Sequence, residues 1–241
     1  MIRVSRVVIA IAFLTCLFEP SDALSACISN PLGLVSLWTG DGDAKDVIGG
    51  NDGVMINGAE AGVPGQVGGA FSFDGDDDSV SVASNPVFDL TNALTMEAWI
   101  KLTALKSDQK VLSYWSPYEM GIYDDKLELV PSEEETHRNA PGGTVLQTGT
   151  WYHVVTTWDG ATITSYVNGA FDRSAAFGGS LETGTLNFSI GGGSFGDIFF
   201  SGLIDEAALY SRALTAEEVQ AHYQGGLLHQ EFCVFVDGFE D

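Results

Sequence analysis

The stretch Phe199–Tyr223, FFSGLIDEAALYSRALTAEEVQAHY, decides the fold. It reads as a strand that runs into a short helix. Side chains alternate along a strand, so Leu203, Asp205, Ala207 and Leu209 share one face and Ile204, Glu206, Ala208 and Tyr210 the other. Whichever face is buried takes a carboxylate inward. A buried carboxylate must be paired, hydrogen-bonded or bound to a metal. Lys and Arg number 10 against 33 acidic residues, which favours a cation as the partner of Asp205, with backbone N–H donors as the alternative. The helix is signalled by Thr215 as N-cap and Glu218 three residues on, a capping box. Gly225 and Gly226 are expected to stop it.

Working back along the chain, Trp151–Trp158 is rich in aromatic and β-branched residues, as strands are. Asp159-Gly160 and Asn168-Gly169 are hairpin turns on either side of the returning strand Ile163–Val167. His153, on the face of Trp151, Val155 and Thr157, reads as a hydrogen-bonded core histidine rather than a catalytic one. Leu94, Met96, Ala98, Ile100 and Leu102 form one apolar face; Thr95, Glu97, Trp99 and Lys101 form the other. Phe71-Ser72-Phe73 and Val80-Ser81-Val82 read as two short strands around the acidic turn Asp74–Asp78. Further strands are expected at Lys110–Trp115, Tyr118–Val130 and Leu186–Ile190.

These segments together resemble the laminin-G-like jelly rolls of the concanavalin A-like lectin/glucanase superfamily. Gly-hydrophobic-Ile-Asp-Glu before the helix resembles that family's last strand. Trp-x-His-Val, then Asp-Gly, then Tyr-Val-Asn-Gly resembles its hairpin, and Glu97-Ala98-Trp99 resembles another of its strands. The matches follow in order from about residue 34 to 223. The resemblance implies an all-β, two-sheet antiparallel jelly-roll sandwich with one short C-terminal helix. The chain then divides into a signal peptide at 1–26, the jelly-roll domain at 27–226 and a C-terminal tail at 227–241.

The signal peptide is read from the residues themselves. Arg3 and Arg6 precede an apolar core, Val7–Phe18, too short to span a bilayer. Ser21-Asp22-Ala23 offers cleavage after Ala23, and Ala26 is an alternative. No later segment is long and apolar enough to span a membrane, so an exported, secreted protein is expected. Leu24-Ser25-Ala26-Cys27 also matches a lipobox, which leaves a lipid anchor at Cys27 as the alternative. Cleavage at either site removes Cys16 and leaves Cys27 and Cys233, two cysteines that in an exported protein suggest one disulfide. The resemblance, which makes the first and last strands neighbours, supports that pairing. The terminal Asp237-Gly238-Phe239-Glu240 lies beyond the family pattern, with no role assigned.

A net charge of −23 over 241 residues argues against nucleic acid, whose phosphates need Lys and Arg, and against docking on an anionic membrane. It suits acidic loops that take calcium. The loop Asp41-Gly42-Asp43-Ala44-Lys45-Asp46 reads either as a solvated loop or as calcium ligands. It departs from an EF-hand, with Lys45 at the fifth position and no closing Glu. Related domains hold calcium between their terminal strands, and the resemblance implies a structural calcium ion there. Asp205 is the leading ligand; Asp46, Asp41, Asp43 or backbone carbonyls complete the set.

Members of the superfamily include hydrolases, lyases and lectins, and fold alone does not choose among them. The Glu-x-Asp-x-x-Glu strand of its retaining glycosidases, which sets an acid and a nucleophile on one face, is absent. Glu133-Glu134-Glu135 lacks the spacing. The lyase strand motifs, HExxH and a nucleophile elbow are absent as well. The expectation is a non-catalytic domain that binds carbohydrate or a surface protein. The candidate contacts are Trp99 and Trp115; Trp99, among polar residues, reads either as a sugar-stacking platform or as cover for the second sheet or a loop. A structural or adhesive surface module and a divergent polysaccharide-active enzyme are the alternatives. Neither the ligand nor the oligomeric state is readable from the sequence.

Overall fold

The computed structural model describes residues 32–115, 117–131, 142–193 and 198–227, with a two-residue strand near each end. The signal segment 1–26, Cys27, the acidic triplet Glu133-Glu134-Glu135 and the Asp237–Glu240 ending lie outside those residues. In chain order the strands are β1 (Ile28–Ser29), β2 (Leu34–Trp38), β3 (Gly53–Ile56), β4 (Glu60–Pro64), β5 (Gly69–Asp74), β6 (Ser79–Val82), β7 (Leu94–Leu102) and β8 (Asp108–Tyr114). They continue with β9 (Tyr118–Tyr123), β10 (Lys126–Pro131), β11 (Trp151–Trp158), β12 (Thr162–Val167), β13 (Ala170–Ala176), β14 (Phe188–Ile190) and β15 (Ser201–Tyr210). Helix α1 (Ala216–Leu227) and β16 (Phe232–Cys233) close the order.

Two antiparallel sheets form the sandwich. The smaller runs β10-β9-β8-β14-β6-β3, and the larger runs β13-β12-β11-β7-β15-β5-β4 with β2 paired to β15. Between them lies an aromatic and aliphatic core, in which Trp38 stacks on Phe188 at 5.3 Å between centroids. Three large aromatic side chains of the core find partners for their polar atoms, as burial demands. Trp38 Nε1 donates to Asn51 O at 2.9 Å, Tyr118 Oη to Phe88 O at 2.7 Å, and Trp158 Nε1 to Phe177 O at 2.9 Å.

The sandwich, the strand at 94–102, the two hairpin turns and the terminal helix agree with the sequence reading. Val167 pairs with Ala170 across Asn168 and Gly169, both at positive φ, the backbone a two-residue turn requires. The Tyr118–Val130 segment is a hairpin rather than one continuous strand, because Asp124 and Asp125 take positive φ and reverse the chain.

Two further local expectations are corrected. The alternation along β15 is broken by a bulge: Asp205 pairs with Trp99, but Ala208 pairs with Glu97, so Glu206 and Ala207 together oppose Ala98. Glu206 takes φ +51° to make this possible. Ile204, Ala207 and Leu209 therefore enter the core between the sheets. Asp205 shares the outer face with Ala208 and Tyr210 instead of lying with Ala207 and Leu209.

The second correction concerns the helix. The capping box forms, with Thr215 N donating to Glu218 Oε2 at 2.8 Å and Glu218 N to Thr215 Oγ1 at 3.3 Å. Arg212 adds a two-pronged pair to the Glu218 carboxylate, at 2.8 and 2.6 Å. Gly225 and Gly226 do not stop the helix, which continues through both to Leu227. A Cβ on Gly226 would lie 2.5 Å from the Trp99 ring, so that glycine lets the helix press against the sheet.

Candidate functional site

The outer face of the large sheet and helix α1 enclose a polar layer. Val219 and His222 are buried on the inner side of the helix, and Tyr223 stacks on Trp99 at 5.7 Å. Beneath them, Glu97 accepts from His153 Nε2 at 2.6 Å and from His222 Nδ1 at 3.0 Å. Burial opposes the Glu97 charge, but the His222 charge and the two imidazole hydrogen bonds overcome it and hold Glu97 well below the usual carboxylate range. Burial likewise opposes charge on His222, and the Glu97 charge and hydrogen bond outweigh it, raising the His222 pKa.

The His–Glu–His layer was not legible as a unit. Its signal was Glu97 on the second face of a strand whose first face is apolar, together with a histidine on a capped helix. His153 is the hydrogen-bonded buried histidine the sequence suggests. Trp99 is not an open platform: it is 4% exposed, wedged between His153 and Tyr223 and roofed by Gly226. Its position requires correction from ligand contact to helix seat. Trp115 sits half-buried at the turn after β8.

Asp205 is carried to the rim of this layer by the β15 bulge. It is 0% exposed. Its Oδ2 accepts from Gln66 N at 2.7 Å and Val67 N at 2.8 Å, while its Oδ1 is buried with no hydrogen-bond partner. Burial pushes its pKa up to about 7; the backbone N–H groups of Val67, Gln66 and Glu206 oppose this, and the charge of Asp41 adds to it. Asp41 accepts from Gly69 N at 2.5 Å. The two carboxylates thus hold opposite parts of the glycine-rich turn 65–69. That turn also reaches the helix, since Gln66 Nε2 donates to Gly226 O at 3.3 Å.

The other two candidate ligands are engaged elsewhere. Asp46 Oδ1 accepts from Leu37 N and Ile48 N, and its Oδ2 from Asn51 N and Asn51 Nδ2, at 2.9–3.1 Å. Burial opposes ionisation there, and the backbone N–H donors prevail and lower its pKa. Asp46 folds its own loop. Asp43 is exposed and paired with Lys45 at 2.7 Å.

Two further acidic groups occur. Asp74, Asp77 and Asp78 bring carboxylate oxygens within 4.8 Å of one another. Asp78 is committed to Gly58 N at 2.7 Å and Asp74 N at 2.9 Å, which makes the cluster a hydrogen-bonded turn. On the outer face of the small sheet, Glu119 accepts from Ser113 Oγ at 2.8 Å and pairs with Lys110 at 2.7 Å.

No helix among the described residues is long and apolar enough to cross a membrane. The chain is 28% identical over 139 residues to pentraxin-related protein PTX3 of Mus musculus, covering 51% of this chain and 36% of that one. It therefore spans about a third of that relative. Among solved structures it resembles domain 4 of AbnA, a GH43 extracellular arabinanase from Geobacillus stearothermophilus in complex with arabinotriose. That match has TM-score 0.65 and 19% identity and covers 78% of this chain and 97% of that one. It also resembles part of Trypanosoma rangeli sialidase, with TM-score 0.63 and 19% identity over 83% of this chain and 34% of that one. The family model of the concanavalin A-like lectin/glucanases superfamily, of laminin-G type, matches residues 74–220, more than half of the sequence, and the chain belongs to that family.

Proposed function

We propose that this chain is an exported, non-catalytic carbohydrate-binding domain whose loop rim is held by a structural calcium ion. The likeness to arabinanase domain 4 carries the carbohydrate part, because that domain was solved with arabinotriose and is matched over 97% of its length. The missing glycosidase strand motif supports a binding rather than a catalytic role.

The calcium part is supported by Asp205 Oδ1, a buried oxygen without a partner beside the like charge of Asp41. A hard divalent cation takes carboxylate and backbone carbonyl oxygens. Asp205 and Asp41 would hold it, with carbonyls of the turns around them. Its chemistry is neutralisation of both carboxylates. The protein's own contribution is to tie β15 to the turn 65–69 and, through Gln66, to the end of the helix.

A glycan array probed with the calcium-loaded chain tests this reading. Retention on a defined set of glycans is the expected result. An array with no retained glycan would leave the surface-module alternative standing.

A further inference from the structure

A cleft of about 510 Å³ opens on the small sheet, within the size range of small-ligand sites. We propose that it is the saccharide site and that it selects neutral sugars; this rests on the carbohydrate-binding reading above and locates it. The floor is formed by β6 and its neighbours. Val80 and Val82 point into the core, which leaves the short side chains of Ser79 and Ser81 at the cleft. A floor of serines leaves depth above the sheet for a sugar ring. Half-buried Ile56, Leu186 and Phe199 supply apolar walls against which the C–H face of a ring packs.

The polar groups are fixed in advance. Asn187 Nδ2 donates to Ser81 Oγ at 3.0 Å, and Asn187 Oδ1 accepts from Ser84 N at 3.2 Å. Asn57 Nδ2 donates to Asp77 O at 2.7 Å and so sets the backbone that carries the Asp77 carboxylate at the rim. Hydroxyl and amide groups held this way lose little freedom when they bind. A carboxylate accepts from adjacent sugar hydroxyls, and its hydrogen bonds are the stronger kind.

Charge decides the class of sugar. Among the described residues no Lys or Arg lines the cleft, Asp77 does, and the chain carries a net charge of −23. A carboxylated or sulfated saccharide would meet like charge without a compensating cation. The cleft is also separate from the two tryptophans: neither Trp99 nor Trp115 lines it.

The test uses the whole calcium-loaded chain and two variants at the cleft surface, Ser81→Trp, which fills the floor, and Asp77→Ala, which removes the rim acceptor. Soluble arabinan, galactan, xylan and mixed-linkage glucan are the neutral probes; alginate and polygalacturonate are the acidic ones. The expected result is binding to at least one neutral probe and to neither acidic one. Asp77→Ala should weaken it about tenfold, the scale of one charge-assisted hydrogen bond, and a folded Ser81→Trp should abolish it. Thermal melts report whether each variant folds, and Asp77→Ala, at an exposed site, keeps the test open if Ser81→Trp does not. Neutral binding unchanged in Asp77→Ala and in any folded Ser81→Trp would overturn the cleft and leave the carbohydrate reading intact. Binding to acidic probes alone would overturn the neutral selection. Binding to nothing would overturn the carbohydrate reading and the cleft with it.

Discussion

Asp205 combines burial, one unpartnered oxygen and a like-charged neighbour. Its folded pKa of about 7 lies above the unfolded value of about 3.9. Between those values the folded state holds a proton that the unfolded chain has released, so stability falls as pH rises through that window. His222 acts in the same direction at higher pH. Its pKa is raised in the fold, so the stability it contributes is complete below about 6.5 and is lost as pH rises through the folded value. The calcium-free protein should therefore melt higher at pH 5.5 than at pH 8.

Replacing Asp205 by Asn keeps an acceptor for Gln66 and Val67 and removes the charge. In EDTA at pH 8, Asp205→Asn should melt above the wild type. Calcium should raise the melting temperature of the wild type, as any ligand of the native state does, and leave the variant unmoved. An equal calcium effect on both, or none on either, contradicts the proposed ion. The importance of Asp205 was legible in the sequence, because a carboxylate on a buried strand needs a partner. Its face was not. A bulge at Glu206 has no local signature in a run of Ile, Asp, Glu and Ala, and it comes from pairing against Trp99 and Glu97.

Helix α1 shows what pattern can and cannot give. Its start was readable, since Thr215 and Glu218 act on each other within one turn. Its end was not, because Gly225 and Gly226 look like a stop until the helix is set against Trp99. The same contact explains why a Trp among polar residues is closed off: the second face of β7 is covered by a helix more than a hundred residues away. Gly226→Ala would force a Cβ to 2.5 Å from the indole. The expected loss is about 1–3 kcal/mol in urea unfolding, the scale of overpacking. Gln220→Ala, at an exposed helix position, should change stability by under about 0.5 kcal/mol. Equal, small effects of both would show that the helix does not press on Trp99.

At the scale of the whole molecule, the sequence order of strands and turns was enough to recognise the sandwich, and β2 does pair with β15. What it left hidden was the placement of the cleft, whose serines lie on strands and whose asparagines lie in loops distant in the chain, with no motif of their own. The short strands β1 and β16 also meet. Ile28 pairs with Phe232 and Ser29 with Cys233, in parallel. Cys27, just before Ile28, lies outside the described residues. A Cys27–Cys233 bridge would close nearly the whole domain, worth at most about 4–5 kcal/mol by chain entropy. If the chain is exported and cleaved before Cys27, its intact mass should be two hydrogens below the dithiol form and carry no lipid. A diacylglyceryl adduct, or two thiols alkylated without reduction, contradicts the bridge.

Affinity electrophoresis of the calcium-loaded chain through gels containing soluble polysaccharides, with released sugar assayed in the same gels, tests the central claim most directly. Retardation by at least one neutral polysaccharide, with no reducing ends or unsaturated uronates above a heat-killed control, is the expected result. Unretarded migration in every gel, or release of sugar from any of them, would contradict a non-catalytic carbohydrate-binding domain.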